Sequence, residues 1–482
     1  MSISSALNNA LSGLNVTSRM AEVVSSNLSN VMTDGYGRRG LEISAGQAGN
    51  FGGGVRAVGV TRFVDPGLLS DRRQADAALG GHDRTAAALL RVEQALGGPD
   101  DPASLNARLA AFESALITAS SDPASDTRLA TVASRITDLA TTLRDNTATV
   151  QALRQDADAA ILRDVETLNN ALQQVAEFNK DIRRLTVSGN DPSALIDARQ
   201  RVVDQIAEIV PVREVPRDNG AIGLRTIGGI QLLESKPATF DFVPTPTITA
   251  EMTFAGGVLS GITVDGVPID PANGVGRLDG GSLGAAFALR DITLVEVQDG
   301  LDGVAADLIA RLEDPANDPT LAPGDIGLLT DNGAPLNLAD LSGLAGRIEV
   351  NPSVLPTSGG DLRLFRDGLN SAVPGPTGNA AQLDRWIAGL SSLRADVPGV
   401  PARSAAGRIG DFGSELGYAR LIAEEKQSFA AARWDLLREA ELSAGVDTDI
   451  ELQTLLRVEQ AYAANAKVIQ SVDFMMQRLM EI

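Results

Sequence analysis

Residues 124–188 read ASDTRLATVASRITDLATTLRDNTATVQALRQDADAAILRDVETLNNALQQVAEFNKDIRRLTVS, with neither proline nor glycine between Pro123 and Gly189. Leu129, Val132, Ile136, Leu139, Leu143, Asn146, Val150 and Leu153 recur at alternating steps of three and four, the spacing of a helical seam. Ile161, Val165, Leu168, Leu172, Val175 and Ile182 form a second seam, offset by four residues as a stutter would do. A helix of this span is roughly 95 Å long at the rise of an α-helix. If it breaks, the break falls at the Asp-rich stretch Gln155–Asp158. Either way the body is a long rod and not a compact shell.

The neighbouring segments extend the helical reading to residues 83–210. Three starts share one signal: Asp101-Pro102, Asp122-Pro123 and Asp191-Pro192. In each, Asp can cap the helix, and Pro at the first helical position has no N–H to leave unpaired. Residues 35–80 are a Gly-rich connector, with Gly35, Gly37, Gly40, Gly52, Gly53 and Gly54, and a short strand is expected at Val55–Val64. From 212 to 282 the signals become β-like. Ala221–Leu233 is apolar with glycines, and Thr247–Phe254 and Val258–Val264 read as strands joined at Gly256-Gly257. Asp265-Gly266 reads as a tight turn. Helix returns at 283–313, with Leu283, Phe287, Leu294, Leu301, Ala305, Leu308 and Leu312 on one side. Residues 314–380 are loop and short strand, and 381–443 are helical with an interruption around Pro398–Gly413.

Both ends carry seams of their own. Ile3, Leu7, Ala10, Leu14, Thr17, Ala21, Val24, Leu28 and Val31 keep the 4-3 spacing over residues 1–33. Leu455, Val458, Tyr462, Asn465, Ile469, Val472, Met476 and Leu479 repeat it, and Val468, Met475 and Ile482 widen the apolar face. An ordinary surface helix is the plain alternative, but free termini usually fray, whereas these seams run almost to both ends. Paired with each other, the two helices would still leave apolar surface for neighbours. The fold expected is mainly α with smaller β parts: terminal helices in a coiled-coil end module, a long rod-like helical body and a small β-rich outer region. The segments are 1–60 (first half of the end module and connector), 61–215 (rod body), 216–282 (β-rich region), 283–313 (returning helix), 314–380 (loop and short strand), 381–443 (helical body) and 444–482 (second half of the end module).

Composition narrows the function. The chain has 482 residues, 44% hydrophobic but only 4% aromatic, so its core is built from Ala, Leu, Val and Ile, which suit helix seams. A net charge of −21 repels phosphate backbones and anionic headgroups, so neither nucleic-acid binding nor membrane insertion is expected. No segment reaches the length of a membrane helix. The first basic residue is Arg19 and no unbroken apolar run follows it, so a cleavable signal peptide is not expected. The absence of cysteine excludes disulfides, thiolate metal sites and cysteine nucleophiles.

Candidate catalytic groups are few. Gly280-Gly281-Ser282-Leu283-Gly284 fits the nucleophile-elbow pattern, but no buried strand precedes it. The single histidine, His82, precedes the serine, whereas the elbow families run serine, acid, histidine. Ser282 is expected to cap the helix after it, and His82, beside Gly80-Gly81, to be a solvated loop residue. Gly52-Gly53-Gly54 lacks the Lys-Ser/Thr ending of a phosphate loop. Asp265, Asp270 and Asp279 lack the order of a calcium loop. No catalytic residue, cofactor or metal is assigned, and an enzyme is not expected.

The ends also carry a resemblance. Leu11-Ser12-Gly13-Leu14, Ser26-Asn27-Leu28-Ser29-Asn30-Val31 and Gly35-Tyr36 resemble the signature of flagellar rod, hook and hook-associated proteins. Members read A-N-x-x-T-x-G-[YF] where this chain has Ser29-Asn30-Val31-Met32-Thr33-Asp34-Gly35-Tyr36. The run Leu455–Asp473 resembles the closing helix of the same family. Interior stretches are similar to the hook-associated protein 1 (FlgK) branch: Arg91–Leu96, Asp101–Leu105, Ser120–Pro123, Leu195–Arg199, Val203–Ala207, Gly281–Gly284 with Arg290-Asp291, Gly343–Ile348 and Val350–Pro352. The similarity is weakest at 236–279 and 314–340.

This resemblance implies a structural subunit of the hook–filament junction, secreted to the extracellular flagellum by the flagellar type III export apparatus. It implies hook protein, other hook-associated proteins and further copies in a ring as partners, and an export chaperone on the C-terminal region. The seams place the assembly interface at Leu7, Leu14, Val24, Leu28, Val31, Leu455, Val458, Tyr462, Ile469, Val472, Met476 and Leu479. The apolar stripe of Val468, Ile469, Val472, Met475, Met476 and Leu479 is the surface expected to meet the chaperone. Two alternatives remain: a hook- or rod-type axial protein, with mostly β domains between its ends, and a secreted hydrolase using Ser282.

Overall fold

The computed structural model describes residues 3–48, 51–98, 101–269, 274–395 and 401–480. Asp270, Pro398 and Ile482, each given a place above, lie outside the described residues. The chain is mainly α with smaller β parts. Helix α1 (Ile3–Ser29) leads into the antiparallel hairpin β1 (Arg38–Ala48) and β2 (Phe51–Phe63). Four helices follow: α2 (Pro66–Leu96), α3 (Leu105–Ser120), α4 (Asp126–Val187) and α5 (Ser193–Ile209). Strands β3 (Val212–Pro216), β4 (Ile222–Thr226) and β5 (Gln231–Leu233) form one small antiparallel sheet. β6 (Phe240–Asp241), β7 (Thr263–Val264) and β8 (Val267–Pro268) form another. Helices α6 (Gly281–Ala288) and α7 (Leu294–Leu312) are joined by a π-helical turn at Leu289–Thr293. β9 (Leu329–Asp331) pairs with β10 (Ile348–Val350), with the short α8 (Leu344–Arg347) between them. The chain closes with α9 (Leu364–Asp367), α10 (Ala381–Ser391), α11 (Ala405–Ser443) and α12 (Thr448–Met480).

The connector 35–80 is corrected at both ends. Its first part is a long hairpin, and α2 begins at Pro66, so His82 is a helical residue and not a loop residue. Asp65 caps α2 by accepting from the Gly67 and Leu68 N–H groups, with Pro66 in the first turn. That Asp-Pro start was expected at three other places. There the cap of α3 is Ser104, which accepts from Ala107, and α4 follows Ser125. Asp101 and Asp122 sit in the turns ahead of these helices. Only Asp191 stays close to its expected role, accepting from the Ser193 N–H at 2.9 Å. Gly81 has a packing reason to be glycine inside a helix. A Cβ there would stand 2.8 Å from the Gly281 carbonyl oxygen, so α2 and α6 approach backbone to backbone.

Helix α4 runs 62 residues without a break. Gln155–Asp158 does not interrupt it, because its polar groups are spent on the β region. Arg154 donates to the carbonyls of Thr249 at 3.1 Å and Met252 at 2.5 Å. Gln155 accepts from Ile248 N–H and donates to Thr245 O. Asp158 accepts from Thr245 N–H at 2.8 Å. Residues 247–254 are therefore not the expected strand: side chains of α4, and not a neighbouring strand, satisfy their backbone. Of Val258–Val264 only Thr263–Val264 is strand. Asp265 and Gly266, both at positive φ, make the two-residue turn to β8.

The buried apolar side chains fall into two clusters along α4. Leu129–Ala157 packs with α2, α3, α7, α10 and α11. Ala160–Val175 packs with α5, the first two small sheets and α6. Between them lies a fully buried ion pair, Arg290 to Asp158 at 2.7 Å, both side chains 0% exposed. Arg290 also pairs with Asp291 at 2.8 Å and lies over the rings of Phe242 and Phe287. The expected interruption at Pro398–Gly413 is shifted: α11 starts at Ala405, capped by Ser404, and Gly413 lies inside it. Buried Arg311 pins both sides of the gap, donating to the carbonyls of Gly389, Ser392 and Arg403.

Arg290→Met is expected to cost about 3–5 kcal/mol, because it leaves the Asp158 carboxylate buried without its cation. Urea unfolding followed by circular dichroism measures this, and adding Asp158→Asn should recover part of the loss.

Candidate assembly surface at the joined termini

Helices α1 and α12 pack against each other in antiparallel sense: Gly13 lies against Asn465, and Arg38, just beyond α1, pairs with Glu451 at 2.8 Å. A Cβ on Gly13 would stand 2.7 Å from the Asn465 side chain, so the missing side chain makes the room that Asn465 occupies. On α1 the buried face is Ala10, Gly13, Val16, Thr17, Val24 and Asn27. Of the seam residues named from the sequence, Val24 is buried, while Leu7, Leu14, Leu28 and Val31 are half-buried. On α12, Val458 and Val472 are buried and Leu455 and Ile469 half-buried. Tyr462, Met476 and Leu479 are exposed, as are Val468 and Met475. The inner seam and the outer stripe of α12 are thus separate surfaces, and Val472 of the expected chaperone stripe belongs to the inner one. Gly13 and Val16 were missed because each lies one position before a seam residue, Leu14 and Thr17, so the buried face is turned slightly from the one the 4-3 spacing picked out.

The signature residues build the corner between α1 and the hairpin. Asn27 Oδ1 accepts from the Arg39 N–H and the Tyr36 hydroxyl, each at 2.9 Å, and its Nδ2 donates to Arg39 O at 2.8 Å. Asn27 thus acts as a strand partner for β1. Ser12 Oγ accepts from Val55 N–H at 3.2 Å and so holds β2 along α1. Gly54, at φ 80°, leaves no room for a side chain beside that hydroxyl.

The helical body alongside is laced by polar contacts. α2 and α11 run antiparallel, tied by Glu93–Arg420, Asp83–Gln427 and Arg72–Glu441. Trp434 Nε1 donates to Asp76. Arg72 also pairs with Asp76 at 2.5 Å and Asp204 at 2.8 Å. Burial pushes the Asp76 and Glu441 carboxyls up, with Arg72 pulling against it.

Ser282 and His82 do not meet as a catalytic pair. The Ser282 hydroxyl donates to Asp164 at 2.8 Å, and Asp164 is paired with Arg84 at 2.8 Å. Ser282 is also not the cap: Gly280 holds that place, and Ser282 lies within α6. Burial, with Lys426 nearby, lowers the pKa of His82. Among the described residues no cluster of His, Cys, Asp or Glu could hold a metal, and no helix is long and apolar enough to cross a membrane.

Comparison with known proteins bears on this geometry. Residues 89–318 match the family described as flagellar hook-associated protein FlgK helical domain. Residues 442–482 match flagellar basal body rod FlgEFG protein C-terminal. Flagellar hook-associated protein 1 of Bacillus subtilis is 22% identical over 508 residues, spanning 98% of this chain and 97% of that one. The Salmonella typhimurium protein of the same name is 29% identical over 49% of this chain and 44% of its own length. That of Escherichia coli is 25% identical over 63% of this chain and 55% of its own. The chain thus spans about half the length of these two relatives. The structure of the flagellar hook junction protein FlgK from Burkholderia pseudomallei aligns at a TM-score of 0.45 and 18% identity, over 56% of this chain and 47% of that one.

Gly13→Leu is expected to splay α1 from α12, because its branched side chain needs the space that Asn465 fills. Hydrogen exchange should show α1 losing protection while α4 keeps it, and Asn465→Ala in the same chain should restore part of the protection.

Proposed function

We propose that the chain is a member of the flagellar hook-associated protein 1 (FlgK) family and a structural subunit of the bacterial flagellum, at the hook–filament junction. The observation that carries the reading is the half-covered terminal pair. Of the 33 residues of α12, only Glu451, Val458 and Val472 are buried. Leu452, Leu456, Phe474, Met475 and Leu479 stay open, beside Leu11 of α1. Helix α1 and the far half of α12 are also sparsely charged. α1 carries only Arg19 and Glu22, and residues 460–480 only Lys467, Asp473 and Arg478. In a chain of net charge −21, this is where copies can pack without like charges meeting. Exposed large apolar side chains recurring along one helix fit an interaction surface.

In this reading the terminal helices pack against neighbouring copies in a ring, with hook protein and other hook-associated proteins above and below. The β-rich region and the loops of the body face outward. The subunit leaves the cell through the type III export apparatus and works outside it. The role in this reading is structural and not catalytic, and it is supported by the Ser282 hydroxyl donating to Asp164, itself paired with Arg84. An export chaperone covers the outer stripe of α12, at Val468, Met475, Met476 and Leu479, and reaches Ile469 and Val472 if α12 leaves α1.

Two outcomes test this. Leu14→Asp, on the half-buried flank of α1, should leave the melting temperature of the body unchanged but block incorporation, since burying an unpaired carboxylate against neighbours is costly. The cells should form hooks without filaments and lose flagellin to the medium, with export of the variant itself verified in the culture fluid. A variant that is exported and supports filaments of normal length refutes the role of the seam.

For the chaperone, Leu479→Asp should weaken binding while α1 and α12 remain paired. Val472→Asp should weaken that pairing as well. Calorimetry with the chaperone, and hydrogen exchange on the free subunit, separate the two effects.

A further inference from the structure

The terminal module of α1, β1, β2 and α12 meets the rest of the chain across a polar joint. Two short segments cross it, 64–65 and 444–447. Neither apolar cluster contains a residue of α1, β1, β2 or α12. The bridging is done instead by one carboxylate on α5. Asp197, 7% exposed, accepts from the Gly37 N–H at 3.1 Å, from Arg39 at 2.7 Å and from Arg62 at 2.7 Å. Arg62 also donates to Gly35 O at 3.2 Å and to Gln200 beside Asp197 on α5. Gly35, at φ 75°, lets the turn approach closely, since a Cβ there would stand 2.8 Å from Arg201 Cγ. A second bridge, Arg438 to Asp34 at 3.1 Å, is largely exposed and so weakly held.

The donors are set from the module side. Tyr36 lies under the Arg39 guanidinium at 4.8 Å, and Asn27 fixes the Arg39 backbone on both sides. The donors are thus held by contacts within the module, and α5 supplies the acceptors, Asp197 and beside it Gln200. We propose that Asp197 is a latch: its carboxylate fixes the angle of the terminal module on the body, and the module pivots as a unit about residues 64–65 and 444–447 when the latch is opened. A joint without an apolar core has no broad contact to resist rotation, whereas charge-assisted hydrogen bonds are directional and depend on one group. This proposal does not rest on the assembly reading, since it concerns the single chain.

The absence of cysteine makes the test direct. Exposed Ser18 on α1 and Lys180 on α4 are replaced by cysteine and spin-labelled, and pulsed electron resonance gives the distance distribution between them. The parent chain should show one narrow peak. Asp197→Ala should lose it for a broad distribution, while the urea midpoint of the body stays the same. Asp197→Glu should keep a peak. Arg39→Gln with Arg62→Gln opens the same latch without touching α5, and decides the matter if Asp197→Ala unfolds the body. A narrow, unshifted peak in the double arginine variant overturns the proposal, as does broadening accompanied by loss of α1 or α12 helix, which would mean that the module had come apart and not pivoted.

Discussion

A single buried ion pair, Asp158 with Arg290, stands where the interior of this protein divides in two. On one side of it α4 presents Leu129–Ala157 to one apolar cluster, and on the other Ala160–Val175 to the second. The partner helix divides at the same place, with Phe287 in one cluster and Leu289 in the other. The π-helical turn at Leu289–Thr293 inserts an extra residue into that helix and brings Arg290 to the boundary. The stutter in the sequence, between Leu153 and Ile161, is the same boundary seen from α4. A helix that must face two cores in succession changes its seam where it passes between them, and the residues at the change are free to be polar. Their desolvation is offset only because Asp158, Arg290, Asp291 and two aromatic rings satisfy one another.

A second device recurs across the molecule. Carboxamide side chains on helices pair with extended backbone as a neighbouring strand would. Asn179 exchanges two hydrogen bonds with Ile222, Asn169 two with Phe240, and Asn27 two with Arg39. The sheets are small, so most of their strands are edges, and unpaired edges invite other chains. Capping them from a helix keeps short strands in place without building a larger sheet. It also explains how a chain so poor in aromatic residues holds its β parts: hydrogen bonds to α4 and α1 do what a bulky sandwich core does elsewhere.

The contrast between body and ends connects the fold to flagellar assembly. The body is closed, with two filled clusters and a lattice of ion pairs between α2, α5 and α11. The ends are half closed: one seam is used between α1 and α12, and the far half of α12 keeps Tyr462, Val468, Phe474, Met475, Met476 and Leu479 exposed. Under the proposed reading, this division leaves the negative charge on the body and offers one end to other copies. The polar joint at Asp197 separates the two regimes: neither apolar cluster includes a described residue of the terminal module.

What the sequence by itself determined was whatever depends on local periodicity and on residues absent. The long helix, the returning helix, the terminal seams and the Asp265-Gly266 turn are all read from spacing or turn chemistry within a few residues. The family signature was legible too, although the task of Asn27 and Tyr36 was not, since their partner Arg39 lies in a strand that the Gly-rich connector concealed. Tertiary structure alone decided where backbone groups found partners. Thr247–Phe254 has the pattern of a strand, yet Arg154 and Gln155 on α4 take its backbone, some ninety residues away in sequence. Gly81 is glycine because the backbone of Gly281 passes within contact distance, and Gly13 because the Asn465 side chain fills the space beside it. Asp197 is one acidic residue among many in the sequence. Only the fold brings Gly37, Arg39 and Arg62 to it, because a carboxylate gains its role from the donors around it and not from its neighbours in the chain.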